Sequence, residues 1–142
     1  MHSLYDFHDY FYSSNKLQRY CNLVWGLYHE FIIIQHLKGN FVSEIGMGDF
    51  EKNGLYYDIK VTTKDIIFLP CHRVTWAKYD FLLFAQVKED EIHLLGTLPR
   101  KVLLKFPKWT KVNGRYKRAF CERDDKCVYI LFLNRLNYGN IP

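Results

Sequence analysis

Asp49, Asp58 and Lys60 flank an Asn53-Gly54 pair in the run Gly48-Asp49-Phe50-Glu51-Lys52-Asn53-Gly54-Leu55-Tyr56-Tyr57-Asp58-Ile59-Lys60. Asn-Gly is the preferred pair for a two-residue type I′ hairpin turn. Such a turn pairs Phe50 with Tyr57 and sets Asp49 directly opposite Asp58. Side chains alternate along a strand, so Lys60 shares the face of both acids, while Phe50, Tyr57, Ile59 and Val61 form an apolar core face. Two like charges opposed across a ladder destabilise a hairpin unless positive charge lies between them. A divalent metal with a lysine beside it supplies that charge. The plainer reading is an exposed alternating strand in which Lys60 neutralises both acids.

Glu30 favours the chemical reading. At helical spacing it falls amid Leu23, Gly26, Leu27, Ile33, Ile34 and Leu37, and an ionised carboxylate in an apolar stripe needs a partner. Gly26, one turn earlier, leaves room for another element to approach. Glu30 is therefore expected to reach the same cleft as the two aspartates, as an outer metal ligand or through water.

The elements that must position these residues can be read from the rest of the chain. Ser13 or Ser14 can N-cap a helix through Leu17, Tyr20, Cys21, Val24, Trp25 and Tyr28, with Gly39 as its terminator. Strands are expected near 41–51 and 55–63, with 66–69 extending the same sheet, and a short helix or turn at 72–78. The apolar run 79–87 reads as a central strand covered on both faces, and 92–97 as its return. Pro99 suits the first turn of a short helix through Val102, Leu103 and Leu104. A loop or irregular hairpin around Asn113-Gly114 follows, and 128–133 closes the fold. With 142 residues and no repeat or linker, residues 1–142 are expected to form one domain.

Apolar content of 49% argues for a folded chain. The net charge is +5, unevenly spread. Residues 100–126 carry ten Lys or Arg against Glu122, Asp124 and Asp125, whereas 1–99 hold nine basic and twelve acidic groups. A basic segment beside an acidic centre suits a polyanion. Trp109, Tyr116 and Phe120 interleave with the charges, as in nucleic-acid contact. Lys108, Lys111, Arg115, Lys117 and Arg118 are the expected contacts. Arg73, Lys78 and Arg135 are lone surface cations by default.

No basic leader precedes an apolar stretch and no run reaches the roughly 20 apolar residues of a membrane span, so a cytoplasmic protein is expected, without a signal peptide or membrane partner. Cys71, His72, Cys121 and Cys127 suffice in number and type for zinc, but neither CxxC nor any finger spacing occurs, and packed thiols remain the alternative. His29, His36, His72 and His93 share no metal-ligand spacing.

Gly48-Asp49, then Asp58-Ile59-Lys60 after a short hairpin, preceded by a helix carrying Glu30, resembles the PD-(D/E)XK nuclease superfamily with its restriction-endonuclease-like fold. The likeness covers roughly the first half of the chain, and the strand 79–87 is compatible with it. Gly48 replaces the motif's proline, and Asp58 stands where Glu is also allowed. The resemblance implies an α/β fold with a central mixed β-sheet flanked by helices. It implies Asp49 and Asp58 as Mg²⁺ ligands completed by the carbonyl of Ile59, with Lys60 orienting or helping to deprotonate a metal-bound water. Thr62, on the same face, is a candidate substrate hydrogen-bonder. The function implied is a Mg²⁺-dependent endonuclease on double-stranded DNA, sequence-specific, of restriction or intron-homing type, cutting both strands as a homodimer or higher oligomer. A non-catalytic nucleic-acid-binding module and a branched-DNA resolvase are the alternatives. A glycosidase fits poorly, because opposed residues stand closer than its usual carboxylate separation of about 5 Å or more and Lys60 would have no role.

Overall fold

The computed structural model describes residues 16–120 and 126–142. The expected caps Ser13 and Ser14, together with Cys121 and the acids Glu122, Asp124 and Asp125, lie outside the described residues. Helix α1 spans Lys16–Leu37 and ends in a left-handed residue that is not the expected glycine: Lys38 takes φ 58°. The amides of Lys38 and Gly39 then donate to the carbonyls of Gln35 and Ile34, closing the last turn. Gly39 serves packing, since a Cβ there would lie 2.4 Å from the Phe50 ring. The Lys52 ammonium donates to the Leu37 carbonyl at 2.8 Å and completes the helix terminus.

Strands β1 (Asn40–Phe41), β2 (Phe50–Lys52) and β3 (Leu55–Thr62) follow. The turn chemistry read from the sequence is present: Asn53 and Gly54 have φ 53° and 81°, and the ladder pairs Phe50 with Tyr57, Glu51 with Tyr56 and Lys52 with Leu55. The single strand expected over 41–51 is instead two short strands separated by a loop, because Gly46 and Gly48 adopt φ 83° and 88° and turn the chain out of the sheet.

After β3 come β4 (Ile66–Pro70), helix α2 (Cys71–Trp76), β5 (Phe81–Lys88), β6 (Glu91–Pro99) and helix α3 (Arg100–Leu103). Strands β7 (Lys108–Val112), β8 (Arg115–Ala119) and β9 (Val128–Phe132) complete the order. The protein is mixed α/β with two sheets. A five-stranded mixed sheet runs β1-β2-β3-β5-β6, with β3 and β5 parallel, and a four-stranded antiparallel sheet runs β4-β9-β7-β8. This corrects the expectation of one central sheet flanked by helices: β4 leaves the first sheet and pairs with β9 along its whole length. The segment around Asn113-Gly114 is a regular hairpin with φ 51° and 78° at its turn.

The layers follow from alternation on β5. Leu83 and Ala85 pack with Phe50, Tyr57, Ile59 and the helix residues Ile33, Ile34 and Leu37. Leu82 and Phe84 pack instead with Leu69, Tyr129 and Leu131 of the second sheet, and with Val74 and Leu103 of the short helices. One face of the mixed sheet thus meets α1 and the other meets a sheet, with β5 buried on both sides. The outer edge of β6 is bridged by the C-terminal tail, where Thr97 and Gly139 exchange main-chain hydrogen bonds of 3.1 and 2.7 Å. No helix among the described residues is long and apolar enough to cross a membrane.

Gly48 couples this architecture to the acids that follow it. A Cβ at that position would stand 2.5 Å from the Tyr57 carbonyl oxygen, and the residue is already in the left-handed region. Gly48→Ala should therefore cost about 2–3 kcal/mol in urea denaturation. A loss of less than about 0.5 kcal/mol would show that the loop is free to relax and does not hold Asp49 in place.

Candidate active site

Strand β3 is the base of the site. Its odd-numbered residues Tyr57 and Ile59 are buried beneath α1, so Asp58 and Lys60 must face the opposite way. Lys60 Nζ lies 3.0 Å from Asp58 Oδ2, with 33% and 17% of the two side chains exposed. That Asp58 oxygen is buried and has no hydrogen-bond partner among the described residues, so its link to Lys60 is an ion pair without directional bonding.

Asp49 is near Asp58, but not by the expected route. The ladder stops at Phe50, and the turn at Gly48 carries Asp49 out of register: its amide donates to the Tyr57 carbonyl at 2.7 Å. Its carboxylate then folds onto β3 and accepts the Ile59 N–H at 2.6 Å. Asp49 therefore does not stand opposite Asp58 in the ladder, although the two carboxylates still interact. Asp49 is pushed up to about 6, chiefly by burial and then by the charge of Asp58, against the pull of the Ile59 amide and Lys60.

Glu30 joins them from α1. It is pushed up to about 7, first by burial and then by Asp49 and Asp58, with Lys60 opposing. The helix stripe that suggested a partner for Glu30 is only half a core stripe: Ile33, Ile34 and Leu37 are buried, whereas Leu23 and Leu27 are exposed. The structure thus brings Glu30, Asp49, Asp58 and Lys60 within electrostatic reach of one another, with three acids to one cation.

Asp58 and Lys60 open onto a cleft of about 850 Å³ between the two sheets. Its other walls come from the loop after β1, including Glu44, and from β4 and α2, including Phe68, His72, Arg73 and Trp76. Tyr79 closes it from behind. Its phenol is held well above its ordinary range by burial and then by Asp58, with Arg100 acting the other way, so it stays a neutral hydroxyl. Arg100 itself is spent on structure: Nε and a terminal nitrogen donate to the carbonyls of Tyr79 and Val74, both at 3.1 Å, tying α2 to the start of β5. Nothing in the spacing of Tyr79, Glu44 and His72 marks them as site residues, and only the tertiary arrangement of the loop after β1, of α2 and of the segment before β5 brings them to one cleft. The Thr62 hydroxyl accepts the Lys64 amide at 3.0 Å, a bond that still leaves its O–H able to donate.

Among the described residues, no three His, Cys, Asp or Glu side chains are spaced to hold a metal on their own. For zinc this means that Cys71, His72 and Cys127 do not make a three-ligand group. Cys71 and Cys127 are buried beside each other, joined by a 2.9 Å main-chain hydrogen bond. For the carboxylates it means that a hard cation held by Asp49 and Asp58 would draw its remaining ligands from main-chain oxygen or water, as Mg²⁺ commonly does.

The basic hairpin divides by alternation. Lys111 and Arg118 share a face with Trp109 and Tyr116, and Lys108, Arg115 and Lys117 lie on the opposite one. Lys111 stands 5.7 Å from the Tyr116 ring centre and Arg118 6.0 Å from that of Trp109. Tyr116 in turn stacks on Phe68 at 5.4 Å, which brings the hairpin to the wall of the cleft. Comparison with protein families, with curated proteins and with solved structures finds no match.

Because Glu30 ionises with more difficulty in the folded protein than in the unfolded chain, the native state binds more protons between about 4.5 and about 7. Stability of the metal-free protein accordingly falls as pH rises through that window. Glu30→Gln should raise the melting temperature by a few degrees at pH 8 and leave it nearly unchanged at pH 4. A glutamine variant that melts no higher than wild type at pH 8 contradicts this account.

Proposed function

We propose that the protein is a Mg²⁺-dependent endonuclease that hydrolyses DNA phosphodiester bonds, of the PD-(D/E)XK kind. The observation that carries this reading is the acid cluster beside the cleft: Lys60 pairs with Asp58, while Asp49 and Glu30 are pushed up to about 6 and about 7, first by burial and then by the neighbouring carboxylates. The donors fit the ion. They are hard carboxylate oxygens, and Asp58 Oδ2 is buried with no hydrogen bond to give up. When bound, Mg²⁺ lowers the pKa of a water and stabilises charge developing on the phosphate.

The residues divide the remaining work. Asp49 and Asp58 would hold the ion, with the Ile59 carbonyl available as a third protein ligand. Lys60 orients the attacking water and offsets phosphate charge as the new oxygen–phosphorus bond forms and the bond to the leaving sugar oxygen breaks. Glu30 acts at the margin through water. Arg73 stands on the cleft wall where a phosphate oxygen would pass. The basic hairpin tracks the backbone and adds salt-sensitive affinity without sequence information. The finer reading is a sequence-specific enzyme of restriction or intron-homing type, which cuts both strands of a duplex as a homodimer or larger oligomer.

Purified protein with Mg²⁺ should cut a long natural DNA, into discrete fragments if the enzyme is sequence-specific and into a smear if it is not. Asp58→Ala and Lys60→Ala should each reduce cleavage by at least about 100-fold with circular dichroism and melting behaviour retained. Cleavage that persists undiminished in both variants would sink the site assignment.

A further inference from the structure

The outer face of the second sheet carries side chains that neither the core nor the acid cluster uses. Register places Phe68 and Phe132 on that face, since their neighbours Leu69 and Leu131 point into the core. Tyr116 joins them from β8. These three rings remain 47%, 41% and 41% exposed, which forgoes part of a burial worth about 2 kcal/mol for each. Two strands separate β8 from β4 in the sheet, yet the Tyr116 and Phe68 rings are 5.4 Å apart and inclined by only 23°. Strand β7 pairs with β9 at a single position, so the hairpin is free to curl over this face.

Cations line the same surface. Lys111 lies over Tyr116, and Arg135 lies 4.9 Å from the centre of the Phe132 ring. Arg118 shares the face. The four strands of this sheet contain no Asp or Glu. A surface of half-exposed rings, with positive charge over and beside them and no carboxylate within its strands, matches a polyanion whose repeating units present flat π-faces that can take the place of the cations.

We infer that this face binds unpaired nucleotides of a DNA strand. Paired bases hide their faces inside the duplex stack, so exposed rings gain little from a double helix, whereas an unpaired strand offers a face at every nucleotide. Phe132 is the diagonal neighbour of Phe68 across the β4–β9 ladder, a separation of about 7–8 Å that two successive bases can span. Lys111, Arg118 and Arg135 then meet the phosphates. Because Phe68 also lines the catalytic cleft, the bound strand leads toward Asp58 and Lys60. On the nuclease reading above, nucleotides of the duplex that unpair beside the cut bond would lie on this face. The proposal rests on the nucleic-acid part of the function proposed above and is independent of its chemistry.

The test is fluorescence anisotropy of labelled oligonucleotides in EDTA, where cleavage is off. A 15-nucleotide oligo(dT) should bind more tightly than a duplex of equal length. Phe68→Ala and Tyr116→Ala should each weaken it by about fivefold to a hundredfold, while Tyr116→Phe, which keeps the ring, retains wild-type affinity. Duplex binding equal to single-strand binding, with alanine variants unaffected, overturns the proposal in favour of backbone contact alone. No binding of either DNA overturns it as well. Loss of cleavage in Mg²⁺ with intact oligo(dT) binding in EDTA would leave this face standing and remove only the nuclease reading.

Discussion

Strand β3 has no freedom of register. It is hydrogen-bonded to β2 on one side through a two-residue turn and to β5 on the other through six parallel pairs, and Tyr57 and Ile59 are sealed beneath α1. A slip of one residue would exchange its faces and drive Asp58 and Lys60 into the apolar layer. The position of the acid–lysine pair is thus a by-product of core packing. Stability of the helix layer and geometry of the cleft are two faces of one strand.

The same packing creates an electrostatic deficit. Burial and mutual repulsion make Glu30 and Asp49 reluctant to ionise, and among the described residues Lys60 is the cation that stands against the three carboxylates. Strain of this sort persists only where surrounding structure imposes it. Here Asp49 is pinned by the Ile59 amide and by the left-handed turn at Gly48, and Asp58 by the strand itself. The arrangement is costly whenever all three acids are ionised.

The second sheet decides what surrounds those groups. By pairing with β9, β4 draws α2 over the acid face and encloses a cleft where a flanking helix would have left a different surface. Arg100 fastens that wall through two main-chain carbonyls. The sheet also turns the basic hairpin toward the cleft, through the stack of Tyr116 on Phe68. One pairing choice therefore builds both the recess at Asp58 and Lys60 and the approach to it.

Local chemistry was legible in the sequence. Asn53-Gly54 and Asn113-Gly114 form the turns their residue types demand, the apolar run beginning at Tyr79 leads into a strand buried on both faces, and Pro99 precedes a short helix. Each of these depends on a few neighbouring residues. The break in the 41–51 segment was harder to see, because Gly46 and Gly48 are compatible with a strand until the close approach of Tyr57 selects positive φ. The separate second sheet and the recruitment of Tyr79 to the cleft were not legible at all. The sequence by itself determined that Asp58 and Lys60 share a face and that Glu30 needs a partner, because alternation and helical spacing are properties of the backbone. Only the tertiary structure decided how Asp49 reaches them and what encloses them, because contacts between residues distant in the chain depend on which strands pair, and several pairings bury similar apolar area.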